Sequence, residues 1–269
     1  MAMLFRILTE HRSLSLQIFQ LGWADARRTY RGAALGWAWA LIKPATMIAV
    51  YWFVIGKGLR AGNTIEGSDY FSWLLCGILP WFYIRDMLSS GTSAFKKYRY
   101  LVTKIKFPVS TIATFVNISN LLTHLLLIIL IGIIIIISGS LGDPIYLLQL
   151  PLYILLTFIF LNLWSLLSGP LAAISKDWSN LVGAVTQILF WVSGILYNID
   201  NINTPWARSV LRLNPINYLV EGYRNSLINK TWFYEDATQL AIFSITMLVF
   251  AVLSIGVYSR ARNEMADNL

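Results

Sequence analysis

Four ionisable side chains, Lys43, Arg85, Asp86 and His124, stand inside long apolar runs of the sequence. A charge at bilayer depth is costly, so such residues mark a path for something charged, or a side chain that reaches back to the interface. Arg85 is the sharpest case, because at 1.5 Å per residue it lies about 22 Å along a helix from Tyr70, at headgroup level. It either snorkels to the inner interface or presents a cation to an anionic headgroup in transit. Aromatic residues form the other cluster: Trp37 and Trp39, then Trp73, Trp81, Phe82 and Tyr83. These rings read as interface belts, or as a path lining in which Trp73 and Phe82 are expected to share a face and stack on sugars.

Catalysis finds little support. His11 and His124 are far apart in sequence, with no His-Glu metal spacing and no nucleophile elbow near either. Gly56-Lys57-Gly58 is not a phosphate-binding loop, since Tyr51 occupies its first glycine position, so the chain is not expected to hydrolyse ATP alone. The single cysteine, Cys76, allows no intrachain disulfide and reads as a small packing residue. A membrane enzyme acting on lipid-linked intermediates needs convergent acids at a span boundary, whereas Asp86, Asp177 and Glu221 are scattered. A secondary carrier needs ionisable groups near mid-bilayer and often inverted repeats, and neither is evident.

The elements that must carry these residues are membrane spans. Of 269 residues, 57% are hydrophobic and 13% charged, with a mean hydropathy of +0.62. A soluble domain would break its apolar runs with charge every turn or two. Spans are expected over 33–55, 70–93, 109–138, 145–174, 181–197 and 238–258, about six in all. Pro151 and Pro170 are expected kink sites in the fourth. Residues 1–32 carry Leu4, Phe5, Leu8, Leu14, Ile18 and Leu21 at helical spacing, as in an amphipathic helix lying in the membrane surface; the alternative is a soluble helix packing on a partner.

Charge sets the orientation. The net charge is +8, but the basic residues cluster between spans, which fits anionic headgroups rather than nucleic acid. The loop 95–108 holds Lys96, Lys97, Arg99, Lys104 and Lys106 and no acid, so it is placed in the cytoplasm together with both termini. A short tail, 260–269, follows the last span. The stretch 198–236 balances acids and bases and belongs outside. Within it, Thr204-Pro205 and Asn214-Pro215 each read as an N-cap followed by proline at the first helical position. Two short amphipathic helices are therefore expected over 204–232, at the outer interface or re-entering the bilayer.

Four segments together resemble the ABC-2 type transporter permeases, in their polysaccharide and teichoic acid export branch: RTYRGAALGWAWALIKP at 28–44, LCGILPW at 75–81, LVTKIKFP at 101–108 and LNPINYLVEGYR at 213–224. The chain looks most similar to wall teichoic acid translocation permeases, with O-antigen or capsule permeases as the alternative. The resemblance implies an all-α integral membrane protein with a six-helix domain over 33–259, in the bacterial plasma membrane. It implies a homodimer bound to two copies of a cytoplasmic ATPase that holds the ATP and Mg. The expected cargo is a polyprenyl-diphosphate-linked polymer, with no cofactor in this chain. Carried onto this sequence, the substrate channel would include Trp37, Lys43, Trp73, Phe82 and Arg85. The coupling helix would present Lys97, Tyr98, Leu101, Lys104, Phe107 and Pro108 to the ATPase, and the outer re-entrant gate would include Pro205, Arg212, Pro215, Glu221 and Arg224. The family's first, second and fifth spans line the path.

Overall fold

The fold is that of a computed structural model, which describes residues 2–54, 64–65, 68–103 and 107–268. Among these the regular structure is helical apart from a two-residue antiparallel ladder, Thr64–Ile65 against Ser68–Asp69. Lys57, Arg60 and Lys104 lie outside the described residues.

The amphipathic N-terminal segment forms two helices, α1 (Ala2–Ser13) and α2 (Ser15–Tyr30), which part at Leu14, where φ is −116° and ψ 14°. They pack along α6 (Ser110–Ile137), with Ile18, Gly22, Asp25 and Ala26 buried. His11 Nε2 lies 2.6 Å from Thr114 Oγ1, and the Ser110 hydroxyl donates to Glu10 at 2.5 Å. Phe5, Leu8, Leu16 and Phe19 stay exposed on the other side. The segment thus carries two apolar faces, one for the bundle and one left to its surroundings.

The first expected span starts as a 3-10 turn, Gly36–Ala38, and continues as α3 (Trp39–Tyr51). The second is α4 (Tyr70–Lys97), which begins where the Asp69 carboxylate accepts the amides of Phe71 and Ser72. A short α5 (Arg99–Thr103) turns the corner into α6. A turn with Asp143 capping Ile145 leads through the 3-10 helix Pro144–Gln149 into α7 (Leu150–Ile174). Pro151 therefore sits in the first turn of α7, where a missing amide costs nothing, and only Pro170 lies within the helix.

Ser175 caps α8 (Lys176–Val192), so the fifth expected span starts earlier and ends earlier than its apolar run indicates. Gly194, at φ +64°, takes the chain out of helical geometry. After the turn Ile199–Asn201 come α9 (Pro205–Arg212), α10 (Pro215–Arg224), a π-helical turn Asn225–Asn229 and α11 (Ala237–Asn268), which runs on through the expected tail.

Four stretches are long and apolar enough to cross a bilayer: Gly36–Val54, Ser110–Ile137, Pro144–Ile174 and Ala237–Ala261. The chain is a multi-pass membrane protein. α4 falls outside that set because Arg85, Asp86 and its hydroxyl residues interrupt its apolar surface, and α8 because it has only 17 residues.

α4 is the central helix, packed against α6, α7, α8 and α10 and buried along most of its length. Polar pairs bridge these contacts: the Thr92 and Ser168 hydroxyls are 2.7 Å apart, and Trp164 Nε1 donates to Leu88 O at 3.1 Å. Bonds of this kind fix helix rotation where every face is apolar. By contrast, α3 buries only Ala40 and Ile48, and α8 only Val182. Their remaining apolar faces, including Ile188 and Trp191, are left for lipid or a second copy.

Candidate functional site

A cavity of about 840 Å³ opens beside α4, walled by α2, α3, α6 and α8. It contains three of the five expected channel residues, Lys43, Phe82 and Arg85. Arg85 Nη2 pairs with Asp86 at 2.8 Å and its guanidinium lies 5.3 Å from the Phe82 ring centroid. The pair is about half exposed toward the cavity, so the guanidinium keeps donors free for a second anion. Lys43 enters from α3, near the helix proline Pro44.

Hydroxyls and amides floor the cavity: Ser89, Ser90 and Ser93 from α4, Ser119, Asn120 and Thr123 from α6, Thr186 and Gln187 from α8. His124 closes it from α6, stacked on Tyr83 with centroids 4.7 Å apart and hydrogen-bonded through Nε2 to the Tyr223 hydroxyl at 2.8 Å. Tyr83 in turn donates to Asn117 Oδ1 at 2.5 Å. Apart from His124, the α6 wall was absent from the expected site. Its signal was present in the sequence: Asn117, Ser119, Asn120, Thr123 and His124 interrupt the third apolar run at helical spacing.

Trp37 and Trp73 do not belong to this wall. Nine residues separate Trp73 from Phe82, which at 3.6 residues per turn is two and a half turns, so the two rings face opposite sides of α4. The expected shared face is therefore wrong. Trp37 packs instead on Trp23 and Tyr30 of α2, at 6.1 and 5.3 Å between centroids.

Trp73 is fully buried, its ring 3.3 Å from the Arg224 guanidinium carbon. Arg224, also fully buried, donates from Nη1 to Gly194 O at 2.9 Å and to Glu221 at 2.6 Å, from Nη2 to Ile195 O at 2.8 Å, and from Nε to Trp73 O at 3.3 Å. Arg224 is thus a lock joining α10, α4 and the end of α8. Gly77 makes the space for it, since a Cβ there would fall 2.3 Å from Nη2.

The two helices of the expected gate differ in burial. Asn214 caps α10 as expected, accepting from Ile216 N at 3.0 Å, whereas the Thr204 side chain makes no cap bond on α9. α10, with Pro215 at its start, is almost wholly buried. α9, with Pro205 at its start, buries no residue and exposes Trp206 and Val210 on one stripe. Arg212 ties α9 to Asp200.

At the α4–α5 corner two expected ATPase-facing anchors turn inward. Tyr98 is buried, edge-on to Phe115 at 4.7 Å, and donates to the buried Asp25 carboxylate. Burial and that carboxylate push the Tyr98 phenol above its ordinary range, so it stays a donor. Leu101 is buried too. Lys97 remains half exposed but pairs with Asp25 at 2.7 Å, and Phe107 and Pro108 are partly buried. The outward ring is Tyr100, 48% exposed, which the sequence reading passed over. Asp25 therefore couples α2 to this corner. Asp25→Ala is expected to lower stability by about 1–3 kcal/mol, because it leaves Tyr98 without its acceptor; thermal unfolding of the purified protein in nanodiscs checks it.

The ABC-2 type transporter family pattern matches residues 16–228, spanning the cavity, the corner and the Arg224 lock. The chain belongs to the ABC-2 type transporter family. Its product is a transporter subunit rather than an enzyme. It is also similar to the O-antigen export system permease protein RfbA of Myxococcus xanthus, 26% identical over 274 residues and covering 100% of each chain. Two segments that carry the resemblance, 75–81 and 213–224, are the partners in the Gly77–Arg224 contact.

Proposed function

We propose that this ABC-2 type permease subunit carries a lipid-diphosphate-linked polysaccharide of the O-antigen kind outward across the plasma membrane, driven by a separate ATPase. The observation that carries the proposal is the composition of the main cavity. Arg85 and Lys43 supply cations for a diphosphate, and the serine, threonine and amide floor suits sugar hydroxyls. A long aliphatic tail needs no protein site of its own, because it stays in the bilayer.

Teichoic acid was the cargo expected first. A relative named as an O-antigen permease and aligned over the whole of both chains supports the alternative cargo instead. Six spans are read by adding α4 and α8 to the four long apolar stretches. α3 and α8, which wall the cavity and bury little within the subunit, fit closure by a second copy. The basic corner around α5 faces the cytoplasmic ATPase in this reading, with Tyr100 as its exposed ring.

The test is ATP hydrolysis by the chain reconstituted with its nucleotide-binding partner. Hydrolysis is expected only with the partner, and to change with a polyprenyl-diphosphate-linked neutral polysaccharide more than with a lipid-linked glycerol-phosphate polymer. The reverse preference returns the cargo to teichoic acid.

A further inference from the structure

The main cavity lies toward the α4–α5 end of the bundle. A second cavity, of about 380 Å³, lies at the other end, between the start of α7, the Ile199–Asn201 turn, α10 and the start of α11. Its lining is different in kind. Aromatic rings, among them Tyr218 and Trp232, stand beside the amides of Asn217 and Gln239 and the carboxylates of Glu221 and Asp236. Rings offer flat apolar surface to the C–H face of a pyranose, while amides and carboxylates match its hydroxyls.

Part of the polar lining of the cavity is uncommitted. Arg212, which lines it, is paired with Asp200, and the lining carboxylate of Glu221 is paired with Arg224. Asp236 uses one oxygen to cap α11, accepting from Gln239 N at 2.9 Å, and forms no ion pair among the described residues. Asn217 is only 5% exposed, and its Oδ1 is buried without a hydrogen-bond partner. An orphaned acceptor of this kind is uncommon and calls for a partner. The cavity thus holds donors and acceptors side by side, the Gln239 amide and the Tyr218 hydroxyl beside the second Asp236 oxygen, and a ligand that fits must both donate and accept. Sugar hydroxyls do both; a phosphate would bring its charge against the carboxylates of Asp200, Glu221 and Asp236.

We propose that the cavity between α7, α10 and α11 binds an uncharged sugar residue of the exported chain at the exit side of the subunit. This deepens the polysaccharide reading and rests on it. The site would hold emerging sugar after the diphosphate has left the cations of the first cavity, opposing backward slippage. It also disfavours a polymer with a phosphate in every repeat.

Saturation-transfer NMR on the full chain in nanodiscs tests the site directly, with mannotriose as probe and a glycerol-phosphate trimer as the anionic comparison. Saturation is expected to reach mannotriose, to be at least fivefold weaker for glycerol phosphate, and to fall at least fivefold in Gln239→Ala and in Asp236→Asn. The asparagine keeps the oxygen that caps α11, and a size-exclusion profile matching the parent's shows that each variant is folded. Equal transfer to parent and folded variants, or preferred transfer to glycerol phosphate, overturns the proposal. If ATP hydrolysis with the partner responds to lipid-linked polysaccharide but mannotriose does not bind, this site alone fails. If mannotriose binds in the expected way but hydrolysis ignores every lipid-linked glycan, the export reading fails and the saccharide site stands.

Discussion

Arg224→Ala is expected to destabilise the protein by about 3–5 kcal/mol, the cost of taking one partner out of a buried, hydrogen-bonded charge network. The substitution strands the carbonyls of Trp73, Gly194 and Ile195 in a site that water does not reach, and leaves the partly exposed Glu221 carboxylate unpaired. It also removes the guanidinium from the Trp73 ring. Against a typical total of about 5–15 kcal/mol, that loss is a large fraction of the stability. Arg224→Lys is expected to recover only part of the loss, because one ammonium cannot span acceptors arranged around a planar fork. Gly77→Ala reaches the same lock from the other side, since its new Cβ would sit 2.3 Å from Nη2, and overpacking costs about 1–3 kcal/mol. Thermal unfolding in nanodiscs reads all three. An Arg224→Ala midpoint within about 2 °C of the parent's would contradict the lock.

The second large effect concerns the cations of the main cavity. Arg85→Ala with Lys43→Ala is expected to weaken the response of ATP hydrolysis to lipid-diphosphate-linked glycan by about 10- to 100-fold in half-effective concentration. A charge-assisted hydrogen bond is worth about 1.5–3 kcal/mol, and 1.4 kcal/mol is a factor of ten. Both side chains are partly exposed, so stability is expected to be largely kept, in contrast to Arg224→Ala. Had Arg85 only been snorkelling to the headgroups, the double variant would leave the response unchanged. Its pairing with Asp86 beside the Phe82 ring, on the cavity wall, sets it apart from a free interfacial arginine.

Helix positions were legible wherever local chemistry decides them. Pro215 begins α10 behind the Asn214 cap, and the third apolar run coincides with α6 to within a residue at each end. The ends of α8 were not, because Ser175 and Gly194 act through a cap bond and a positive φ that an apolar run conceals. Rotation about a helix axis was the other gap. Tyr98 and Leu101 look like docking residues in a basic loop, yet packing on Asp25 and Phe115 turns Tyr98 inward and leaves Tyr100 exposed. Likewise Arg224 reads in sequence as one basic residue of an outer segment. Its role depends on carbonyls 29 to 151 residues away in the chain, which no periodicity reveals.

The central claim is transport, and the most direct measurement is ATP-driven movement of a fluorescent polyprenyl-diphosphate-linked neutral polysaccharide across proteoliposomes that contain this chain and its ATPase partner. Glycan should move from the ATPase-facing side to the opposite leaflet only when ATP and both subunits are present, and should slow sharply in the Arg85→Ala, Lys43→Ala double variant. Glycan that stays on its original side in the full system, while the partner hydrolyses ATP, would contradict the assignment.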